Sequence, residues 1–279
     1  MKKITRRSFL AAAGLTAAAL ALTACGGSSS STASSTASSV AASSEAASSS
    51  AAAELTTVEA GKLTMATNAA FPPYEMTTDT GAFEGIDVDT AQAIAEKLGL
   101  ELQIDDMDFD AALLSVQQGK ADIVMAGVTV TDERKAVMDF SDSYATGIQS
   151  IIVPEGSDIA TPDDLAGKKI GTQRGTTGYI YCSDDFGDEN VVAYDDGLTA
   201  VQALNNGQVD AVVIDNAPAK EFIAANPGLV ILDTSYAEED YAIGMAKGSA
   251  LEDAINAALE ELKADGTLQS IVDKYITAE

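Results

Sequence analysis

The sequence predicts an α/β fold of two similarly built lobes with mostly parallel sheets, and three observations support this prediction. Apolar runs such as residues 121–126 have the length of buried strands. Between such runs, apolar residues recur at helical spacing, and a glycine closes the helix, as Gly99 does after residues 88–98. The third observation is a weak internal repeat: residues 116–124 and 204–212 share the order helix end, glycine, aspartate and apolar strand. Convergence on a common helix-turn-strand pattern would produce the same match.

The elements follow one another along a core of roughly 220 residues that begins near Leu55, which is long enough for two modest lobes. Because ligands of open α/β sheets bind at the carboxyl ends of the strands, the residues just after each strand are candidate site residues. In chain order, the pattern predicts a strand at 62–67, a helix at 88–98, a helix from Phe109 to Gly119, a strand at 121–126, a strand at 169–172 that leads into a Gly-Thr-rich turn at 173–178, and a strand at 209–214.

The first residues predict export from the cytoplasm rather than a membrane span. A basic start is followed by an apolar run at 9–22, which is too short to cross a bilayer core of about 30 Å. The run ends in Leu-Thr-Ala-Cys at residues 22–25, which resembles a bacterial lipobox. We therefore expect residues 1–24 to be a lipoprotein signal peptide. Cys25 would carry a lipid that anchors the chain on the extracytoplasmic face of the cell membrane.

The stretch after Cys25 predicts a tether. Residues 26–53 are almost wholly Ser, Ala, Gly and Thr, with Glu45 as their only charge. Such a composition offers too little apolar surface to offset the entropy lost on folding. We therefore expect residues 25–54 to be a disordered segment between the lipid and the core.

The composition excludes several classes of function. The chain has a formal charge of −27, and removing the four basic residues of the leader leaves −31, so no nucleic-acid partner is expected. Histidine is absent, which excludes Ser-His-Asp triads and histidine metal sites. The chain has two cysteines, and lipidation of Cys25 leaves Cys182 without a disulfide partner. Neither a metal nor a cofactor is expected.

Three features that follow predicted strands together complement a zwitterion. Arg134 offers a fork of N–H donors that matches a carboxylate. The Gly-Thr-rich turn at 173–178 opens a helix, where free backbone N–H groups attract an anion. Asp215 can accept from an ammonium. The sequence alone leaves open that Arg134 and Asp215 are surface residues on separate helices.

An ordered set of segments along the core resembles the amino-acid-binding proteins (family 3) of ABC importers. The resemblance implies a two-lobed periplasmic-binding-protein type II-like fold with two hinge crossings and a ligand cleft. Residues 55–146 plus 238–279 would form lobe 1, and residues 147–237 would form lobe 2. The segments that carry the resemblance are 68–75, 83–89, 109–113, 119–122, 129–134, 139–144, 175–178 and 210–215.

The resemblance also implies a role for each matching residue. Arg134 would bind the ligand α-carboxylate bidentately, and Asp215 would pair with the α-ammonium. Phe71, Phe109 and Tyr74 are assigned to the ligand side chain; a place in the apolar core is the alternative for each, and it has more weight for Tyr74 than for the two phenylalanines. The implied set comprises Arg134, Thr129, Gly127, Thr176 and Thr177 around the carboxylate, Asp215 at the ammonium, Phe71 and Phe109 beside the side chain, and Asn68, Tyr74 and Gln173 near its tip.

The side-chain pocket predicts a neutral ligand. Relatives that bind basic amino acids often carry an aspartate where Asn68 stands, so a cationic side chain would lack a counter-charge. The prediction assumes that Glu75 and Asp110 point away from the pocket. We therefore expect a polar or moderately apolar side chain, and not lysine, arginine or histidine.

These observations predict a monomeric binding protein that closes on a free L-amino acid and delivers it to an ABC permease in the membrane. Two alternatives share the fold. One is an enzyme similar to cyclohexadienyl dehydratases, in which Glu75 or Asp215 would act as a general acid. The other is an extracellular sensor that reports occupancy to a partner receptor. The acidic run at 238–240 predicts a solvated face.

Overall fold

The computed structural model of the chain describes residues 55–276. The predicted signal peptide, the predicted tether and the lipidation site at Cys25 lie outside the described residues. Within them, strands and helices alternate as the sequence predicts. The strands are β1 Lys62–Thr67, β2 Ala70–Phe71, β3 Glu75–Thr77, β4 Phe83–Glu84, β5 Glu101–Asp106, β6 Ile123–Val124, β7 Met138–Phe140, β8 Ala145–Pro154, β9 Ile170–Gln173, β10 Val191–Tyr194, β11 Ala211–Asp215, β12 Leu229–Ile231, β13 Ala237–Tyr241 and β14 Gly244–Ala246.

The helices begin and end close to their expected positions. The first ends at Leu98, and Gly99 follows it with a φ of 70° and donates its N–H to two carbonyls of the last turn, as a left-handed terminator does. The described α-helices are α1 Ile86–Leu98, α2 Phe109–Gln117, α3 Asp132–Lys135, α4 Thr177–Phe186, α5 Gly197–Asn205, α6 Asn216–Ala225, α7 Glu252–Ala264 and α8 Thr267–Tyr275, with 3-10 turns at Pro162–Leu165 and Asp188–Asn190.

Two sheets form the centres of two lobes. The first has the strand order β5-β1-β6-β14-β7, and the second has the order β10-β9-β11-β8-β12, with β13 paired to β8. The pairs β1–β5, β1–β6, β9–β10 and β9–β11 are parallel. The strands β8 and β14 run antiparallel to their neighbours, so the prediction of mostly parallel sheets is wrong. A crossover connection is what makes neighbouring strands parallel, and the chain enters β8 and β14 from the other sheet.

The internal repeat has a physical counterpart in each lobe. Gly119 and Gly207 both follow a helix with a positive φ, at 66° and 64°. Asp122 then accepts from the backbone N–H of Thr64 at the start of β1, at 2.8 Å. Asp210 accepts in the same way from the N–H of Lys169, directly before β9, at 2.7 Å. Each aspartate therefore ties the beginning of one strand to the beginning of its parallel neighbour.

The chain passes between the sheets twice, and the two passages pair with each other. Residues 145–149 of β8 pair antiparallel with residues 237–241 of β13. Tyr241 is fully buried, and a Cβ on Gly147 would lie 2.4 Å from its ring. Thr129 of the first lobe forms an isolated bridge to Tyr241. The paired passages are therefore tightly packed where the two lobes meet.

Substitution of Gly85, which precedes α1, by any residue with a Cβ is predicted to destabilise the fold. The φ of Gly85 is 136°, and a Cβ would lie 2.1 Å from the carbonyl oxygen of Tyr74. Gly85→Ala should lower the free energy of unfolding by at least ~2 kcal/mol, measured by urea denaturation. Gly81→Ala is the matched control, because Gly81 has a φ of 79° and nothing within 4 Å of a Cβ, so it should cost only about 1 kcal/mol. Equal losses for the two variants would contradict this prediction.

Candidate functional site

A small cavity of about 20 Å³ lies where strands β1, β6, β9 and β11 end. This volume holds about one water molecule, so the walls of the cavity lie close together. The structure brings ten of the eleven predicted ligand-binding residues to its wall, and Tyr74 is the exception. The lining residues are Asn68, Phe71, Glu75, Phe109, Ala126, Gly127, Thr129, Arg134, Gln173, Thr176, Thr177 and Asp215.

Arg134 supplies the positive charge of the cavity. The hydroxyl of Thr131 caps the short helix α3 by accepting from the Arg134 N–H at 3.1 Å, which fixes the arginine backbone. The guanidinium donates to the carbonyl of Thr129 at 2.8 Å and to that of Gly175 at 3.2 Å. It lies 5.4 Å from the ring centre of Phe109. Burial lowers the pKa of Arg134, but an arginine stays protonated in proteins.

Hydrogen bonds across the cleft hold the cavity closed. The bond from Arg134 to Gly175 joins the first lobe to the second. A second bond runs from the Gln173 amide to Asn68 Oδ1 at 2.8 Å, and Asn68 in turn donates to the carbonyl of Met107 at 3.0 Å. These amide contacts use polar groups that were expected at the tip of a ligand side chain.

Asp215 is the last residue of β11, and its carboxyl is buried in the wall. Its two oxygens accept from the Tyr241 hydroxyl and, at 2.8 Å, from Gln149 Nε2. Burial, followed by the charge of Glu239, raises the pKa of Asp215 to about 7 in spite of these two bonds. The carboxyl is thus only partly ionised at neutral pH, and a cation placed beside it would favour the ionised form.

Glu75 faces the cavity, so the assumption that it points away is wrong. It stands directly opposite Phe71 in the β2–β3 pair, and residues directly opposite share a face. The side chain is fully buried, its oxygens accept from no N–H or hydroxyl donor, and the carboxyl shares a hydrogen bond with the carboxyl of Asp87. Burial, and then the charge of Asp87, raises the pKa of Glu75 well above its usual range. Asp110, by contrast, is exposed at the start of α2 and does not line the cavity.

Two further residues differ from their expected roles. Tyr74 is buried behind the cavity, where its ring stacks on Phe71 at 5.9 Å and meets the edge of Tyr241 at 5.3 Å. It therefore supports Phe71 from behind. The N–H of Gly127, expected to help bind a carboxylate, donates to Asp87 at 3.0 Å.

Glu239 is the residue near this site that sequence reasoning missed. The run at 238–240 was expected to be solvated, and this is wrong for Glu239, which is 6% exposed. Strand β13 alternates between two faces, so Glu238 and Asp240 are exposed while Glu239 faces inwards with Tyr241. One oxygen of Glu239 accepts from Gln149 and from Thr129, each at 3.0 Å. The strand period of two was the signal that could have found it.

Between residues 55 and 276, no group of three or more His, Cys, Asp or Glu side chains could hold a metal ion. No helix in the same range is both long and apolar enough to cross a membrane.

Comparison with known proteins gives consistent matches. The model of the bacterial extracellular solute-binding proteins, family 3, matches residues 63–278. The L-cystine-binding protein TcyJ of Escherichia coli (strain K12) is 33% identical over 226 residues, which cover 79% of this chain and 85% of that protein. The arginine-binding extracellular protein ArtP of Bacillus subtilis (strain 168) is 33% identical over 228 residues, covering 78% and 87%. The structure of an ancestral arginine-binding protein bound to glutamine is 41% identical, has a TM-score of 0.75, and covers 78% of this chain and 99% of its own.

Glu75→Gln is predicted to flatten the dependence of stability on pH in the ligand-free protein. Because the pKa of Glu75 is raised in the folded state, the native protein holds a proton that the unfolded chain releases above its ordinary pKa of about 4.5. The free energy of unfolding therefore falls as the pH rises from there. Relative to the native protein, the variant should gain at least ~1.4 kcal/mol between pH 4.5 and pH 8 in urea denaturation.

Glu84→Gln is the control for this prediction, because Glu84 is exposed on the adjacent strand β4. Its effect on stability should be the same at both pH values. If the free energy of unfolding of Glu75→Gln differed from that of the native protein by the same amount at pH 4.5 and at pH 8, the native Glu75 carboxyl would titrate normally and the prediction would be wrong.

Proposed function

The chain belongs to the bacterial extracellular solute-binding proteins, family 3, and from this premise we propose that its cavity binds a free L-amino acid whose side chain ends in N–H donors. The family and the matched relatives are binding proteins of ABC importers that work outside the cytoplasm, and they are not enzymes. The observation that carries the proposal is the convergence of Arg134, Asp215 and the buried Glu75 on one closed cavity.

The main-chain groups of an amino acid fit the two charged walls. Arg134 would exchange its bonds to the carbonyls of Thr129 and Gly175 for two parallel bonds to the α-carboxylate. Thr177 is the first residue of α4, where backbone N–H groups lack partners within the helix and attract an anion. Asp215 would pair with the α-ammonium, which replaces the solvation that the ammonium loses on closure.

Because Glu75 lines the cavity, we propose a cationic ligand side chain in place of the neutral one expected from the sequence. The hydrogen-bond partner of Glu75 is another acid, Asp87, so this buried carboxyl lacks a counter-charge, and a guanidinium supplies both donors and that counter-charge. We therefore place an arginine-type side chain first. An amide of the glutamine type is second, because the amides of Asn68 and Gln173 also line the cavity. The names of ArtP and of the ancestral protein agree with both choices.

Capture would proceed by closure of two lobes, formed by residues 55–146 plus 238–279 and by residues 147–237. Membership of the strands in the two sheets supports this division except at β13, residues 237–241, which pairs with β8 of the second sheet. The bonds Arg134–Gly175 and Gln173–Asn68 belong to the closed form, and the open form would lack them. The closed, liganded monomer would then dock on the permease of the importer.

A thermal-shift screen of the twenty amino acids tests the ligand class. A ligand that binds only the native state raises its melting temperature, so arginine should give the largest shift and glutamine the next. N-acetylarginine should give almost none, because it has no ammonium for Asp215. A largest shift from leucine or glutamate would overturn the assignment.

Arg134→Lys should weaken binding of the best ligand at least about tenfold in calorimetry, because a point charge cannot form two parallel bonds to a carboxylate. Arg174→Lys is the matched control, since Arg174 is exposed, does not line the cavity and donates to Asp195 of the same lobe at 3.4 Å. Its affinity should equal that of the native protein. Normal binding by Arg134→Lys would remove Arg134 from the carboxylate site.

The lipid anchor on Cys25 is also proposed, supported by the basic start, the apolar run and the motif at 22–25. Produced in a bacterium with lipoprotein export, the native protein should partition into the detergent phase of Triton X-114, and Cys25→Ser should stay in the aqueous phase. Cys182→Ser, at a buried position, should partition like the native protein. An aqueous native protein would contradict the anchor.

A further inference from the structure

The buried carboxyl of Glu239 has no role in the function proposed so far. It lies on β13, in the second passage between the sheets, and it does not line the cavity. One of its oxygens accepts from Thr129 Oγ1 and from Gln149 Nε2, each at 3.0 Å. The carboxyl also shares a hydrogen bond with the Tyr181 hydroxyl, and its charge interacts with that of Arg134. A buried acid of this kind is costly, so its contacts call for an explanation.

The contact with Thr129 fixes the direction of a hydroxyl proton. A hydroxyl has one proton, and Thr129 donates it to Glu239 Oε2. The lone pairs of the same oxygen then face the cavity and the Thr177 hydroxyl, which lies 3.5 Å away. Thr129 thus offers an acceptor to a ligand, whereas its expected role beside the carboxylate requires a donor.

The contact with Gln149 fixes a second group in the same way. The Gln149 amide nitrogen has two protons, and it lies 2.8 Å from Asp215 Oδ2 and 3.0 Å from Glu239 Oε2. Both carboxyls therefore share one amide, which is 1% exposed. Asp215 is held by this amide on one side and by the Tyr241 hydroxyl on the other.

We propose that Glu239 is a positioning residue for the amino group of the ligand: it takes the Thr129 proton and one Gln149 N–H, so that Thr129 and Asp215 present two acceptors to the ammonium. The proposal rests on the proposed function, in which an amino acid places its ammonium beside Asp215. It assigns to Glu239 the discrimination between an ammonium and a neutral group at the same position.

Glu239→Gln tests the proposal. The new amide can donate to Thr129, which frees the hydroxyl proton to point into the cavity against the ligand cation. The native protein and the variant are titrated by calorimetry with L-arginine and argininic acid, its 2-hydroxy analogue, and with L-glutamine and its 2-hydroxy analogue. Affinity for the amino acid should fall more than about tenfold, and affinity for the hydroxy acid should fall much less. The ratio of the affinity for the amino acid to that for its hydroxy acid should therefore decrease at least about fivefold.

A purely structural role would weaken the amino acid and the hydroxy acid equally, and an unchanged ratio would overturn the proposal. Glu238→Gln is the matched control, because it makes the same change on the exposed face of the same strand. It should leave both affinities unchanged. If the native protein bound no amino acid at all, the proposed function would fail first and this inference with it.

Thr129→Val provides a second route that does not depend on the folding of Glu239→Gln. It removes the hydroxyl oxygen that would accept from the ligand ammonium, so the ratio of amino-acid affinity to hydroxy-acid affinity should decrease as in Glu239→Gln. In the double variant, Glu239→Gln should add less than about a twofold change to the ratio, because coupled residues are not additive. If Thr129→Val weakened amino acid and hydroxy acid equally, Thr129 would serve the carboxylate and the proposal would be wrong.

Discussion

The closed cleft buries more acidic than basic side chains, and the rest of the site depends on this imbalance of charge. Burial raises the pKa of Glu75, of Asp87 (to about 6) and of Asp215 (to about 7), and the buried Arg134 interacts with the charges of Glu239 and Asp215. Burial therefore favours the protonated forms of Glu75, Asp87 and Asp215. A ligand that brings positive charge takes the place of those protons, and closure becomes favourable in its presence.

The paired passages between the sheets carry both the mechanical and the electrostatic connection. Gln149 lies on β8 and Glu239 lies on β13, and the pairing of these strands brings the two side chains within 3.0 Å. Asp87 makes a similar link, since it accepts from Gly127 at the cavity wall and from Tyr144 next to β8. A rearrangement of these paired strands would therefore change the hydrogen bonds of Glu239 and of Asp215, which is proposed to bind the ligand ammonium.

The sequence predicts what depends on local pattern and misses what depends on pairing. Helix ends and the repeat around Asp122 and Asp210 follow from spacing, and the structure adds their matching backbone bonds. The inward face of Glu75 depends on its pairing with Phe71, and β2 has only two residues, too few to show a period. Glu239 lay within a visible alternation, but the charge of its neighbours obscured it. The antiparallel strands follow from passages between lobes that no local pattern records.

The same imbalance explains how a small ligand can shift a large conformational equilibrium. A ligand moves an equilibrium only by the difference of its affinities for the two forms. In an open cleft, water would solvate Glu75 and Asp215, and a bound cation would gain little from them. In the closed cleft these carboxyls are almost out of contact with solvent, so their attraction for a cation is strongest there. The buried acids therefore confine most of the binding energy to the closed form, which is the form that a transporter must recognise.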